Sequence, residues 1–198
     1  MTLHPDASSV IASARQVLAF ARDGAADFQA GAERVSVGLH NAISNGRSVT
    51  FVLQNLQSKD LFGEDFRAWY DDQMKEMRLD PKAKWFVELR NRLEKQGTLG
   101  DSFIRVSGAI VRTADLMRDA PAGAESRFVG DQLGRSGWHV RLPDGSKTIV
   151  FTASPEALKI EQSMDDAPDG FDLRADLHPW LDELERLIDR AESRFVAG

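Results

Sequence analysis

The chain contains no cysteine, which excludes disulfides, a thiolate metal site and a cysteine nucleophile. Its four histidines, His4, His40, His139 and His178, stand at no His-Glu-x-x-His or comparable spacing. Neither a metal nor any other cofactor is therefore expected. No apolar run approaches the roughly 18 residues that a membrane span requires. The N-terminus lacks a basic start followed by an apolar core, so a secretory leader is not expected either. Also absent are the phosphate loop Gly-x-x-x-x-Gly-Lys-Ser/Thr, a Gly-x-Gly-x-x-Gly opening a helix after a strand, and Gly-x-Ser-x-Gly. Common nucleotide folds and serine-hydrolase chemistry lose support accordingly. A cytoplasmic protein is the expectation.

What is present reads as a soluble globular protein. Of 198 residues, 42% are hydrophobic and 28% charged, enough for one sizeable core or a main domain with a small appendage. The net charge of −6 is unevenly placed: residues 1–97 carry 13 basic and 13 acidic side chains, and residues 98–198 carry 12 and 18. An acidic C-terminal half argues against an overall electrostatic grip on nucleic acid and leaves room for a local basic patch.

The best-specified element is DPKAKWFVELRNRLEKQG, Asp80 to Gly97. Asp80 can cap the first free amides, Pro81 suits the first helical position, and Gly97 can close the far end in a left-handed conformation. Trp85, Phe86, Leu89 and Leu93 share one side at helical spacing, which predicts burial there. Earlier in the chain, Val10, Ile11, Ala14, Val17, Leu18 and Ala21 predict a helix over residues 6–22, with a stop at Asp23-Gly24. A longer seam steps by four and three from Phe28 through Ala32, Val35, Ala42 and Gly46 to Leu56 and predicts one continuous helix. Between Val35 and Ser58 the only charged side chain is Arg47. That helix is expected to be covered on more than one side, by this chain or by a second copy. A third helix is predicted over 63–78, with Phe66, Trp69, Tyr70, Met74 and Met77 inward, as the antiparallel neighbour of the Asp80 helix.

Beyond Gly97, Ser102 to Arg112 favours a strand and residues 119–137 read as a long loop. Trp138 to Leu142 and Lys147 to Ala153 flank Pro143-Asp144-Gly145-Ser146, a hairpin signature because Asp-Gly tolerates the positive φ of a tight turn. A sheet of about three strands is the simplest account. Ser154-Pro155-Glu156 can open a short helix reaching Gln162, and residues 164–176 read as an acidic loop. A last helix is predicted over 179–195, with Leu177, Leu181, Leu184, Ile188, Ala191 and Phe195 inward and Asp182 paired to Arg186.

Candidate functional side chains gather on the Asp80 helix. Arg90 and Arg92 flank its apolar stripe, while Asn91 and Lys95 lie one turn apart on the opposite side. A purely structural account pairs Glu88 with Arg92 and Arg90 with Glu94, and sets Lys95 against the negative helix end. An antiparallel helical bundle with Arg90-Asn91 on a late helix, after an aromatic-rich helix, resembles the HEPN class of helical domains over residues 6–97. The resemblance implies a dimer and, in active members, metal-independent ribonuclease chemistry by an Arg, a following polar residue, and a His four to six residues beyond the Arg-polar pair. The eligible positions here hold Lys95, Gln96 and Gly97. The missing histidine is the group whose pKa suits proton transfer near neutral pH. His40, with Arg47 two turns along, is the substitute from another element. Arg47, Arg92 and Lys95 complete the candidate ligand-binding set.

The sequence thus predicts an α+β, predominantly α protein: an antiparallel four-helix bundle over 6–97, joined over 98–198 to a small antiparallel β-sheet and a docked C-terminal helix. The expected function is non-catalytic binding or scaffolding of bacterial type, by a homodimer that associates through its bundle and receives a protein partner. The alternative is HEPN-type RNA binding or cleavage using Arg90 and Asn91.

Overall fold

The structure, a computed structural model, describes residues 6–30, 33–58, 61–97, 102–108, 112–131 and 133–196. In chain order these form α1 (Ala7–Ala30), α2 (Val35–Leu53) running into a 3₁₀ turn (Gln54–Gln57), α3 (Gly63–Met77), α4 (Pro81–Gln96) and β1 (Ser102–Gly108). Then follow α5 (Thr113–Met117), β2 (Ala124–Phe128), β3 (Ser136–Arg141), β4 (Lys147–Thr152), β5 (Leu158–Met164) and α6 (Leu173–Phe195). The class is α+β and predominantly α, as the sequence indicates. Among the described residues, no helix is long and apolar enough to cross a membrane.

α4 forms as its ends dictate: Asp80 accepts from the Lys82 amide at 2.8 Å, and Gly97 adopts φ 69°. α1, by contrast, runs straight through the expected stop at Asp23-Gly24. A Cβ on Gly24 would lie 2.6 Å from the Ala42 amide nitrogen and 2.7 Å from the Gly38 carbonyl oxygen. Gly24 therefore serves a backbone-to-backbone crossing of α1 and α2, and that close packing offsets the roughly 1 kcal/mol a glycine costs inside a helix. The long seam is split as well. Phe28 belongs to α1, and a turn at Glu33-Arg34 separates it from α2. The step of four and three survives because Phe28 and Val35 point into the same core from the two arms of a helical hairpin. Ala32 lies outside the described residues.

α2 is covered by its own chain, with α1, α4 and α6 all packed against it. Gly46 leaves room for Trp180, whose ring carbons would lie 2.6 Å from a Cβ there. Trp180 in turn stacks on Phe86 of α4, centroids 4.5 Å apart. α6 starts more than a turn earlier than expected because Asp172 caps it, accepting from the Arg174 amide at 3.1 Å, and because Leu173 extends the buried stripe that Leu177 begins in the sequence. α1, α2, α4 and α6 share the core with α3, whose Phe66 and Tyr70 are buried in it while its backbone rests on the 3₁₀ turn. The aromatics of α3 and α4 do not merge across their short connection. Phe66 and Trp69 close on Phe195 at the end of α6, each at 5.3 Å, whereas Trp85 and Phe86 meet Phe171, at 6.4 and 5.4 Å. The expected Asp182–Arg186 pair is replaced by tertiary and shorter-range ones. Asp182 and Glu185 both take Arg22 of α1, at 2.8 and 2.9 Å, and Arg186 turns to Glu183 at 2.7 Å.

The strands differ more from expectation. β1 pairs antiparallel with β5, Ser102 opposite Met164 and Gly108 opposite Leu158. The stretch read as a short helix after Ser154 is therefore a strand, because a lone β1 would leave its ladder groups unpaired. Residues 109–111 of the expected strand lie outside the described residues. A separate sheet has the order β2-β3-β4. β2 falls inside the stretch read as loop, with Arg127 opposite Trp138 and Phe128 opposite Gly137. The predicted hairpin is present: the Leu142 amide donates to the Ser146 carbonyl at 2.8 Å, Gly145 has φ 84°, and Arg141 faces Lys147 in register. Trp138 and Val140 of β3 are buried, whereas β4 is exposed from Lys147 through Val150.

Candidate functional site

The packing of α4 on α2 fixes where the candidate residues lie. Arg90 is held by Glu94 one turn on, at 2.5 Å, and donates to Asn91 Oδ1 at 3.3 Å. Arg92 is not spent on Glu88. It forms a two-pronged ion pair with Asp166, from the loop before α6, and lies over the Trp85 ring at 4.6 Å. That hydrogen bond holds the Asp166 carboxyl below its ordinary range and raises Arg92. Glu88 faces Lys84 instead, at 3.8 Å. Lys95 and Asn91 are exposed. His40 is exposed on α2, about 10 Å along the axis from Arg47 at 1.5 Å per residue. Among the described residues it has no hydrogen bond or ion pair.

Two of the candidates do come together. Arg47 of α2 and Arg90 of α4 lie against the ring of Phe51, 4.4 and 5.5 Å from its centroid. Arg47 is half-buried; its guanidinium donates to Thr50 Oγ1, and its Nε is enclosed without a hydrogen-bond partner. Among the described residues no carboxylate pairs with it. Burial lowers its pKa from the ordinary arginine value, the Tyr70 hydroxyl partly restores it, and Arg90 and Arg78 push it down again. Arg78 and Lys84 join Arg47 around a cavity of about 100 Å³. Phe51, Arg78 and Lys84 were not singled out by spacing. The available signal was Phe51 one helical turn after the only cation of a charge-poor stretch.

A second surface is the outer edge of the β2-β3-β4 sheet. β4 ends the strand order, and its Ile149 and Val150 are 46% and 37% exposed. An edge strand leaves one row of amides and carbonyls without a ladder partner.

Fold and surfaces define a predominantly helical α+β protein with a shared helical core and an open-edged sheet. Over residues 25–115 the chain matches the family model described as bacteriophage lambda protein ea47. The matched stretch runs from the end of α1 through α2, α3, α4 and β1 into α5. It contains Arg47, Phe51, Arg78, Lys84 and Arg90, and it stops before β2, β3, β4 and α6. No curated protein and no solved structure matches the chain.

Proposed function

We propose that the protein is a non-catalytic binding protein that associates through the free edge of β4, its first partner being a second copy of itself. The observation behind this reading is the edge strand. Thr148-Ile149-Val150-Phe151-Thr152 is uncharged, exposed at Ile149 and Val150 and last in its sheet. It is also self-complementary: two copies aligned antiparallel about Val150 set Thr148 against Thr152 and Ile149 against Phe151, with no like charges facing. Lys147 beside it is taken up by Glu125 at 3.1 Å. In this reading the dimer forms through the sheet rather than through the bundle, where α1, α4 and α6 already pack on the inner side of α2. Light scattering is expected to show a dimer at micromolar concentration, and Val150→Lys, which sets two cations opposite each other, a monomer with an unchanged melting temperature. A monomeric wild type overturns the reading.

The ribonuclease alternative draws on the approach of Arg47 and Arg90 at Phe51. Against it stand the grip of Glu94 on Arg90 and the lack of a histidine after Asn91. No metal-free RNA cleavage is expected; cleavage that disappears in a folded Arg90→Ala variant would favour that alternative.

A further inference from the structure

Two crevices meet along Met77, Ala83 and Trp180, and their charges are arranged in opposite ways. The larger, about 490 Å³, contains Lys82, Arg186 and Arg190, and each has an acid: Lys82 bonds Asp176 at 2.9 Å, and Arg186 and Arg190 bond Glu183 at 2.7 and 3.0 Å. It is electrostatically closed. The smaller, about 100 Å³, lies between α2, the turn from α3 to α4, and α6, and it is lined by Arg47, Arg78 and Lys84 with no acid among them. Among the described residues Arg78 has no ion pair, and Lys84 reaches only Glu88, at 3.8 Å with both side chains exposed. Arg47 and Arg78, without a counter-charge, and Lys84, with a distant exposed one, repel one another, and the half-buried Arg47 loses hydration as well.

The remaining walls are apolar: Met74, Met77, Val87 and Leu184. Hydrocarbon walls give nothing to a fully hydrated inorganic anion, which would shed water against them, and they reward an apolar tail. A guanidinium fork matches a planar carboxylate with two parallel bonds. Methionines adapt to irregular aliphatic shapes.

We propose that this cavity is a binding site for a small aliphatic carboxylate, its chain of a few carbons set among Met74, Met77, Val87 and Leu184 and its carboxylate held by Arg47 with Arg78 and Lys84. The site does not depend on the β4 edge, so either can fail without the other.

The test uses the full chain with its methionine methyl groups labelled for NMR, titrated with hexanoate, hexanamide and inorganic phosphate. Hexanoate is expected to shift the Met74 and Met77 methyl signals at millimolar concentration and to leave Met117 and Met164 in place. Hexanamide, the same tail without charge, and phosphate, charge without a tail, are each expected to bind at least about tenfold more weakly, the scale of one lost charge-assisted hydrogen bond. Arg47→Gln is expected to raise the hexanoate dissociation constant about tenfold. Because Arg47 is half-buried, a second variant carrying Arg78→Gln and Lys84→Gln, both at exposed positions, is expected to weaken hexanoate severalfold in a protein that melts like the wild type. Absence of any shift of Met74 or Met77, phosphate binding as tightly as hexanoate, or hexanoate binding indifferent to both variants overturns the proposal.

Discussion

Two charge-poor stretches of this chain meet different fates. Val35 to Ser58 has a single charge, Arg47, and Thr148 to Ser154 has none. α2 is covered along its inner side by α1, α4 and α6, with Gly24 and Gly38 allowing its backbone to touch that of α1 and Gly46 receiving an indole, while Val37 and Phe51 stay exposed on its outer side. β4, whose one charge is Lys147 at its start, stands open along its outer side. Missing charge thus marks a surface that avoids water, without saying who covers it. For the inner side of α2 the cover is intramolecular; for the edge of β4, among the described residues, nothing supplies it.

That contrast can be broken most severely at the helical crossing. A Cβ on Gly38 would lie 2.6 Å from the Phe28 amide nitrogen and 2.7 Å from the Gly24 carbonyl oxygen. Backbone cannot step aside as a side chain can, so Gly38→Val is expected to exceed the roughly 3 kcal/mol of ordinary overpacking and to abolish cooperative unfolding in urea. Next comes Trp180→Ala, expected to cost about 3–5 kcal/mol by emptying the space between Gly46 and Phe86. Gly46→Leu should be strongly destabilising alone and much less so beside Trp180→Ala, a coupling that a double-mutant cycle reads directly.

A smaller effect concerns the loop before β3. Burial alone would raise the Asp131 carboxyl, but the Arg135 side chain, at 2.7 Å, and the Arg135 and Leu133 amides, each at 2.9 Å, hold it below its ordinary value. A carboxylate with a depressed folded-state pKa stabilises fully above its unfolded pKa and stops doing so as pH falls through the folded one. Asp131→Asn should therefore cost about 1–2 kcal/mol at neutral pH, and the gap between the two melting curves should close in acid below the usual carboxylate range. The smallest change is Val150→Lys, expected to move thermal stability by no more than about 0.5 kcal/mol while altering association. A large stability loss there would mean that β4 is covered after all.

How much of this was legible follows the range of the interactions. The caps of α4 at Asp80 and Gly97 and the turn at Asp144-Gly145 are settled by groups a few residues apart, and both were readable. The period of the α1–α2 seam was readable and its break was not, because a helical hairpin keeps the same inward faces on both arms. β2 and β5 escaped because a strand exists through its partner: Glu125-Ser126-Arg127 does not alternate, and the alternation of Leu158-Lys159-Ile160-Glu161 lasts only four residues. Of the candidate site, Arg90–Glu94 was visible at four residues' spacing. Arg92–Asp166, 74 residues apart, was not, nor was the approach of Arg47 to Arg90 across Phe51.

The amino-acid sequence by itself determined that this is a predominantly helical protein without cysteine chemistry, where α4 begins and ends, and where the β3–β4 chain reverses, since propensity, capping and turn geometry act within a few residues. Only the tertiary structure decided that α6 joins α3 in the helical core, that the inner side of α2 is covered while the edge of β4 is open, and which arginines are neutralised and which are left facing a cavity. Those outcomes depend on shape and on charges brought together from distant parts of the chain, and no local pattern encodes them.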